Sequence, residues 1–128
     1  MILDSSAVVA VLTEEAGYAS LLGLLDEADS LAIGTPTLVE AEIVLVGRVG
    51  PSRRMFLANF VVERDVAVLP FEEAHWREAV SAFLRYGKGR HPAGLNYGDC
   101  MTYATARLAG EPLLCLGDDF AKTDLELA

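Results

Sequence analysis

Several features that mark other classes of protein are scarce or missing in this sequence. Lysine and arginine number only 10 against 19 acidic residues, and the net charge of −9 argues against a protein that holds nucleic acid by its overall charge. The same balance disfavours an anionic membrane surface as a partner. No apolar stretch approaches the ~18 residues of a membrane-spanning helix, and the N-terminus lacks the basic segment of a secretion signal. We therefore expect a cytoplasmic protein.

Cysteine is also rare. Cys100 and Cys115 form no CxxC pair, have no histidine at zinc-finger spacing and lie in apolar surroundings. This is typical of reduced, buried thiols rather than of disulfides or a zinc site. The composition, 52% hydrophobic and 23% charged over 128 residues, excludes disordered and low-complexity chains. It predicts one globular domain over residues 1–128.

Short apolar runs alternate with longer helical segments along the chain. The runs predict buried strands, followed by an edge strand near the C-terminus: Met1–Leu3, Leu31–Ile33, Val66–Leu69, Leu113–Leu116 and Leu125–Leu127. Helices are predicted over residues 7–12, 18–28, 36–48, 53–62, 72–86 and 97–108. The inner side of the fifth is predicted to carry Ala74, Ala79, Ala82, Phe83 and Tyr86. Apolar strands that alternate with helices indicate a parallel sheet covered on both faces. We expect an α/β domain of three layers, with four to five strands.

Acidic residues stand where the predicted strands end. Asp4 follows the first strand, Asp118 and Asp119 follow the fourth, and Asp99 opens the helix before it. Glu40 lies near the start of the helix after the second strand. Each acid taken singly has a structural explanation as a cap or turn residue. In a parallel sheet, however, right-handed crossovers bring the strand ends to one edge, where ligands bind.

The glutamate of this group is ambiguous, because Glu42 stands two residues after Glu40. Two residues correspond to about 200° of helix, so the two side chains cannot face one site. Helical phase alone does not choose between them. Converging carboxylates would repel and raise one another's pKa, and a hard cation such as Mg²⁺ relieves that repulsion through oxygen ligands and retained waters.

Five stretches of the chain resemble a known family. Asp4-Ser5-Ser6-Ala7 and Thr35–Glu40 resemble the opening motifs of PIN-domain proteins. The run Arg85–Cys100, RYGKGRHPAGLNYGDC, is similar to one group of VapC-type toxins, as are Pro112–Phe120 and Thr123-Asp124. Together these stretches extend over essentially the whole chain. The sequence resembles a VapC-type ribonuclease toxin of a type II toxin–antitoxin pair.

The resemblance implies a PIN fold, Mg²⁺ or Mn²⁺ in an acidic pocket, endonucleolytic cleavage of RNA by a metal-activated water, and neutralisation by a small VapB-type antitoxin. Asp4 and Asp99 match the metal-ligand aspartates, and Glu40 matches the glutamate of the second motif. For the fourth acid, Asp119 matches best and Asp118 remains an alternative. The expected catalytic acids are Asp4, Glu40, Asp99 and Asp119, and the expected metal ligands are Asp4, Asp99, Asp118 and Asp119.

A basic segment interrupts this acidic chain. Residues 85–98 contain no acid, and four residues are predicted to bind RNA: Arg85, Lys88, Arg90 and His91. The glycines of the segment suit a loop that approaches a phosphate backbone. A solvated helix end, with cations that favour the helix dipole, is the alternative explanation.

Two other functions compete with ribonuclease activity. A non-catalytic PIN-like interaction module would use the acids only as caps. An aspartyl-phosphate enzyme with Asp4 as nucleophile is disfavoured, because Ser6 stands where dehalogenase-type phosphatases carry a second aspartate. The mean hydropathy of +0.33 also predicts apolar interfaces. We expect a homodimer and a toxin–antitoxin hetero-oligomer, with an antitoxin arginine that pairs with the acids.

Overall fold

Four short parallel strands form the centre of the molecule, in the order β3-β2-β1-β4. The computed structural model describes residues 1–128. The strands are β1 (Ile2–Leu3), β2 (Ala32–Gly34), β3 (Ala67–Leu69) and β4 (Leu113–Leu114). Ile2 pairs with Ala32 on one side and with Leu113 on the other. In place of the edge strand predicted near the C-terminus, Leu127 forms a single parallel bridge with Leu113.

Six α-helices surround the sheet: α1 (Ser5–Leu12), α2 (Tyr18–Glu27), α3 (Thr35–Val49), α4 (Met55–Glu63), α5 (Glu73–Tyr86) and α6 (Tyr97–Ala109). Short 3-10 turns cover Pro51–Arg53 and Phe120–Lys122. None of the helices has both the length and the apolar character that a bilayer crossing requires.

The sheet separates two hydrophobic cores. Successive residues of a strand point to opposite faces, and Leu3 accordingly packs in a core with residues of α1, α2, α3 and α4. Ile2 packs in the other core with residues of α5 and α6. The three-layer α/β/α architecture with a parallel sheet of four strands is thereby confirmed.

Two local predictions are wrong. The apolar run of β3 predicts a buried strand, but β3 is an edge strand, and Val68 is 45% exposed. On α5, Ala79, Ala82 and Tyr86 are buried as predicted, but Phe83 is 40% exposed and Ala74 is also exposed. The spacing of the buried residues, three and four, is that of one helix face, and Ala74 and Phe83 fall outside it.

Candidate active site

Asp4 lies between β1 and α1, where it caps the helix. Its Oδ2 accepts hydrogen bonds from the Ser6 amide (3.0 Å) and the Ser6 hydroxyl (2.5 Å). Its Oδ1 accepts one from the Thr102 hydroxyl (2.9 Å). The residue is only 5% exposed, so these donors stabilise a carboxylate that burial would otherwise penalise. Asp4 is also the N-cap of α1.

Ser6 also joins the ends of two strands. Its hydroxyl oxygen accepts a hydrogen bond from the backbone N–H of Leu116 (2.9 Å), just after β4. Because the Ser6 hydroxyl donates to Asp4 at the same time, it connects the first acid to the start of the loop over residues 117–119. Sequence reasoning missed this contact.

Glu40 points from α3 toward the first turn of α6. Its Oε2 accepts a hydrogen bond from the Ser5 hydroxyl (3.0 Å). A Cβ atom built on Gly98 would lie 2.5 Å from Glu40 Oε1, which shows that the carboxylate lies directly against the start of α6. Glu42 points elsewhere, since its Oε1 is 3.2 Å from Nε of Arg54 in an ion pair at the surface. The structure thus brings Glu40, and not Glu42, to the other acids.

Asp99 is the third residue of α6 and forms a capping box with Asn96. Its Oδ2 accepts from the Asn96 amide (2.9 Å), while its own amide donates to the Asn96 side chain (2.8 Å). The pKa of Asp99 is raised to about 6, first by burial and then by the charges of Asp4, Asp119 and Glu40, against a lowering by the Asn96 hydrogen bond. The four acids therefore lie in one electrostatic neighbourhood.

The two acids after β4 differ in their surroundings. The charge of Asp119 contributes to the raised pKa of Asp99. It also contributes to the raised pKa of Cys115, which is about 11 because of burial first and then the charges of Asp4, Asp119 and Asp99. Asp118 contributes to neither shift, its side chain is 83% exposed, and its Oδ2 is 3.5 Å from Nζ of Lys122. The Asp119 side chain is also exposed, at 59%, and its Oδ1 is 4.0 Å from Nζ of Lys122. What distinguishes Asp119 from Asp118 is that its charge acts on the pKa of Asp99 and of Cys115.

The carboxylates do not form a preformed metal cage. No three histidine, cysteine or acidic side chains converge closely enough to hold an ion directly. The donor set is nevertheless all-oxygen, and the pKa of Asp99 is raised first by burial and then by the charges of the other acids, a repulsion that a cation would relieve. Mg²⁺ is commonly bound through one or two carboxylates with several retained waters. The residues present therefore fit Mg²⁺ or Mn²⁺, and they do not fit zinc.

The four basic-segment residues have different environments. Arg85 donates to the Tyr86 hydroxyl (2.9 Å) and pairs with Asp124 (3.5 Å). His91 Nδ1 accepts from the Ala93 amide (3.1 Å), so both residues are held by the protein itself. The Arg90 guanidinium lies 5.5 Å from the centre of the Phe83 ring.

The remaining cation of the segment, Lys88, is held only through its backbone. The Lys88 amide donates to the Leu95 carbonyl (3.0 Å), while its exposed side chain enters no ion pair or hydrogen bond. A backbone bridge between Gly87 and Leu95 closes the loop around it. The loop is therefore an ordered structure that presents Lys88 to solvent.

A cluster that sequence reasoning missed holds the segment after β4. The Tyr103 hydroxyl donates to Asp124 Oδ1 (2.6 Å), and Arg107 lies 3.6 Å from Asp124 Oδ2. The hydrogen bond from Tyr103 lowers the pKa of Asp124 below its ordinary value, so the carboxylate stays ionised. Together with Phe120, which is 4% exposed, this anchor fixes the chain just beyond Asp119. The motif Thr123-Asp124 was the available signal, but the sequence did not reveal its partner.

Comparison with known proteins agrees with this geometry. Residues 1–126 match the family described as the PIN domain. Ribonuclease VapC36 of Mycobacterium tuberculosis is 48% identical over 127 residues, which span 98% of this chain and 91% of that protein. The chain belongs to the VapC ribonucleases of the PIN-domain family. The resemblance found in the sequence is thereby confirmed.

Solved structures of VapC proteins share the fold. The crystal structure of VapC20 from Mycobacterium tuberculosis, described as a toxin that cleaves the sarcin-ricin loop, superposes with a TM-score of 0.82 at 16% identity and covers 99% of this chain and 97% of that one. VapBC2 from Rickettsia felis, solved with a DNA fragment from its promoter, gives a TM-score of 0.76 at 14% identity over 99% and 96% of the two chains. At these identities the comparison establishes the PIN fold alone.

Proposed function

We propose that this protein is the toxin of a type II toxin–antitoxin pair and an endoribonuclease that depends on Mg²⁺ or Mn²⁺. The observation that carries the proposal is the placement of acids from separate parts of the chain beside one another. Glu40 lies against Gly98, the residue before Asp99, and Thr102 of the same helix donates to Asp4. An acidic group assembled across the fold, in a chain 48% identical to a named ribonuclease, supports metal-dependent hydrolysis of a phosphodiester.

The acids have distinct roles in this proposal. Asp4 and Asp99 would hold the metal together with Asp119, which we assign in preference to Asp118 because Asp119 acts on the pKa of Asp99. When bound, Mg²⁺ supplies Lewis-acid activation of water and offsets negative charge on the scissile phosphate. Glu40, oriented by the Ser5 hydroxyl, accepts the proton of the attacking water.

RNA approaches this acidic edge with the help of the basic loop. Lys88, which is exposed and makes no ion pair, contacts the phosphate backbone, and Arg90 assists from beside Phe83. Arg85 and His91 hold the shape of the loop and do not contact RNA directly. Arg85 pairs with Asp124, and His91 accepts a hydrogen bond from the Ala93 amide. Contacts with the phosphate backbone position the substrate and carry no sequence preference of their own.

Cleavage of a labelled RNA by the purified protein tests the proposal. We expect activity with Mg²⁺ or Mn²⁺, none in EDTA, and a loss of orders of magnitude for Asp99→Asn. Asp26→Asn is a matched control, because Asp26 is an exposed acid paired with Arg64 on another helix. Folded wild-type protein that cleaves no RNA, or cleavage that ignores EDTA, would contradict the proposal. Protein that is folded, inactive and free of bound metal would instead favour the non-catalytic interaction module.

The proposed partner is a VapB-type antitoxin, supported by structural neighbours such as VapBC2. A guanidinium pairs bidentately with carboxylates, so an arginine in the antitoxin tail would compete with the cation for the acids. Titration of antitoxin at rising Mg²⁺, with that arginine intact or replaced by alanine, tests this competition. If the replacement leaves inhibition unchanged at every Mg²⁺ concentration, the antitoxin acts by covering the surface. The homodimer stays a prediction, which light scattering of the purified protein checks.

A further inference from the structure

A chain of two buried hydroxyls leads to Asp4. The Thr102 hydroxyl donates to Asp4 Oδ1 over 2.9 Å, and the hydroxyl oxygens of Thr37 and Thr102 are 3.0 Å apart. Thr37 is 2% exposed and Thr102 is fully buried, so water does not replace these contacts. Three parts of the fold meet here, namely the end of β1, helix α3 and helix α6.

The direction of the chain follows from the chemistry of its members. An ionised carboxylate only accepts hydrogen bonds, and a hydroxyl has one hydrogen to donate. The hydrogen of Thr102 is directed at Asp4, so Thr37 must donate its own hydrogen to Thr102 Oγ1. The sequence is Thr37 to Thr102 to Asp4, and each bond polarises and strengthens the next.

The two threonines are also placed beside the other acids. Thr37 precedes Glu40 by three residues on α3, and Thr102 follows Asp99 by three residues on α6. Residues three apart lie on the same side of a helix. The hydroxyl contact therefore joins α3 and α6 one turn away from each acid and fixes the two helices relative to Asp4.

A neighbouring threonine of α6 makes the hydrogen bond that is usual within a helix, unlike Thr102. Thr105 is also buried, at 2% exposure, but its hydroxyl donates to the Met101 carbonyl four residues earlier in the same helix (3.0 Å). That local bond is the usual one for a threonine within a helix. Thr102 bonds across elements instead, and its acceptor is the most buried of the four acids.

We propose that Thr102, oriented by Thr37, is a positioning residue that sets Asp4, Glu40 and Asp99 in the geometry that binds the divalent cation. This inference rests on the proposed function, because it takes Asp4 and Asp99 as metal ligands. Groups that hydrogen-bond a metal ligand typically change metal affinity by 10–100-fold when they are lost. The role of Thr102 is thus measurable without RNA cleavage.

The decisive experiment measures Mn²⁺ binding by electron paramagnetic resonance in Thr102→Val, which keeps the shape and removes the hydroxyl. We expect affinity to fall by about tenfold, while Thr102→Ser, which restores the hydroxyl, binds close to the wild-type affinity. Thr105→Val is the matched control, a buried threonine of the same helix, and is expected to bind Mn²⁺ as the wild type does. Circular dichroism confirms that each variant is folded.

Thr37→Val provides a second test if Thr102→Val does not fold. It leaves the Thr102 hydrogen on Asp4 and removes only the outer hydroxyl, so we expect a smaller loss of affinity than the tenfold loss above, again restored by serine. Cleavage assays of the same variants are expected to show the loss as a higher Mg²⁺ requirement, overcome at saturating Mg²⁺.

Each contrary outcome has a separate meaning. If wild-type protein binds no Mn²⁺, the metal-dependent function fails, and the role of the threonines fails with it. If wild type binds Mn²⁺ but the valine variants of Thr102 and Thr37 bind equally well, only the positioning role is overturned. The same holds if Thr105→Val loses as much affinity, or if serine does not restore it, because packing would then explain the effect.

Discussion

The carboxylate of Glu40 fills the space that a side chain at Gly98 would need. A Cβ atom on Gly98 would lie 2.5 Å from Glu40 Oε1 and 2.8 Å from Oε2. The backbone of Gly98 has no positive φ, so it is the acid of another helix, and not the backbone conformation, that requires glycine here. This relationship places Glu40 next to Asp99, the following residue of α6.

Gly98→Ala is therefore expected to inactivate the enzyme without unfolding it. The added methyl group would displace the Glu40 carboxylate, and a displacement of about 1 Å in a catalytic group can cost about a hundredfold in rate. RNA cleavage and the melting temperature are measured together. Gly47→Ala is the control, because a Cβ on Gly47 of α3 meets nothing within 4 Å. Equal rates for Gly98→Ala and wild type would contradict the placement of Glu40 at the reaction.

Asp99→Asn is expected to raise the stability of the metal-free protein. Because the pKa of Asp99 is raised from 3.8 to about 6 on folding, the folded state holds this proton more tightly than the unfolded state. The stability contributed by Asp99 therefore falls as pH rises from about 4 to about 6. An asparagine does not ionise and still accepts the Asn96 hydrogen bond, so it escapes this loss.

The measurement is the melting temperature in EDTA at about pH 5 and about pH 7.5, compared with wild type. The gain from Asp99→Asn is expected to be larger at the higher pH. A variant that melts below wild type at both pH values would show that the carboxylate serves as a structural cap. Added Mg²⁺ is expected to stabilise wild type and to leave the variant nearly unchanged.

Glu40→Gln and Glu42→Gln are expected to differ in activity. The Glu40 carboxylate accepts a hydrogen bond from the Ser5 hydroxyl. Because the amide of a glutamine cannot take up a proton from water, Glu40→Gln would remove the proton acceptor of the site. Glu42 pairs with Arg54 at the surface, and such pairs contribute only about 0–1 kcal/mol. Cleavage by Glu40→Gln should vanish while Glu42→Gln stays close to wild type. The reverse order would assign the catalytic role to the other face of α3.

Asp119→Asn is expected to reduce cleavage far more than Asp118→Asn. Both acids are exposed and lie within 4.0 Å of Lys122, but only Asp119 contributes to the raised pKa of Asp99. Mn²⁺ titration of both variants shows whether metal affinity follows the same order. Equal losses in the two variants would mean that the loop offers either acid to the metal.

Lys88→Ala and His91→Ala are expected to separate RNA binding from loop structure. Lys88 is free to contact phosphate, so its removal should weaken RNA binding at low salt and reduce the salt dependence of binding by about one ion. His91 instead accepts the Ala93 amide and packs its ring edge against Tyr86, so its removal should lower the melting temperature. Binding is measured with inactive Asp99→Asn as the background, so that the RNA survives.

Much of the fold was predictable because its signals are local. Apolar runs that end in Asp4 and in Asp118-Asp119 are enough to locate two strands and the edge of the sheet at which their acids lie. The edge position of β3 was not predictable, since an apolar run does not reveal whether a further element covers it. Phe83 was likewise predicted in the core because it is apolar, and the sequence does not show that no other element covers its side of α5.

The types of residue in the candidate site could be predicted from the sequence, but the contacts that orient them could not. Helical phase left Glu40 and Glu42 equivalent, and the choice depends on Ser5 and Gly98, which reach Glu40 from other elements. The bond from Tyr103 to Asp124 and the hydroxyl of Thr102 are likewise contacts between distant parts of the chain. No periodicity within a single helix encodes such pairings.

The pairing of β1 with β4 brings together acids that lie far apart in the sequence. Asp4 and Asp119 are 115 positions apart in the sequence, and the Ser6–Leu116 hydrogen bond joins residues separated by 110 positions. A growing polypeptide therefore has only part of the acid set until Asp119 has been synthesised. On the proposed function, a nascent chain that has not yet reached this residue cannot cleave RNA.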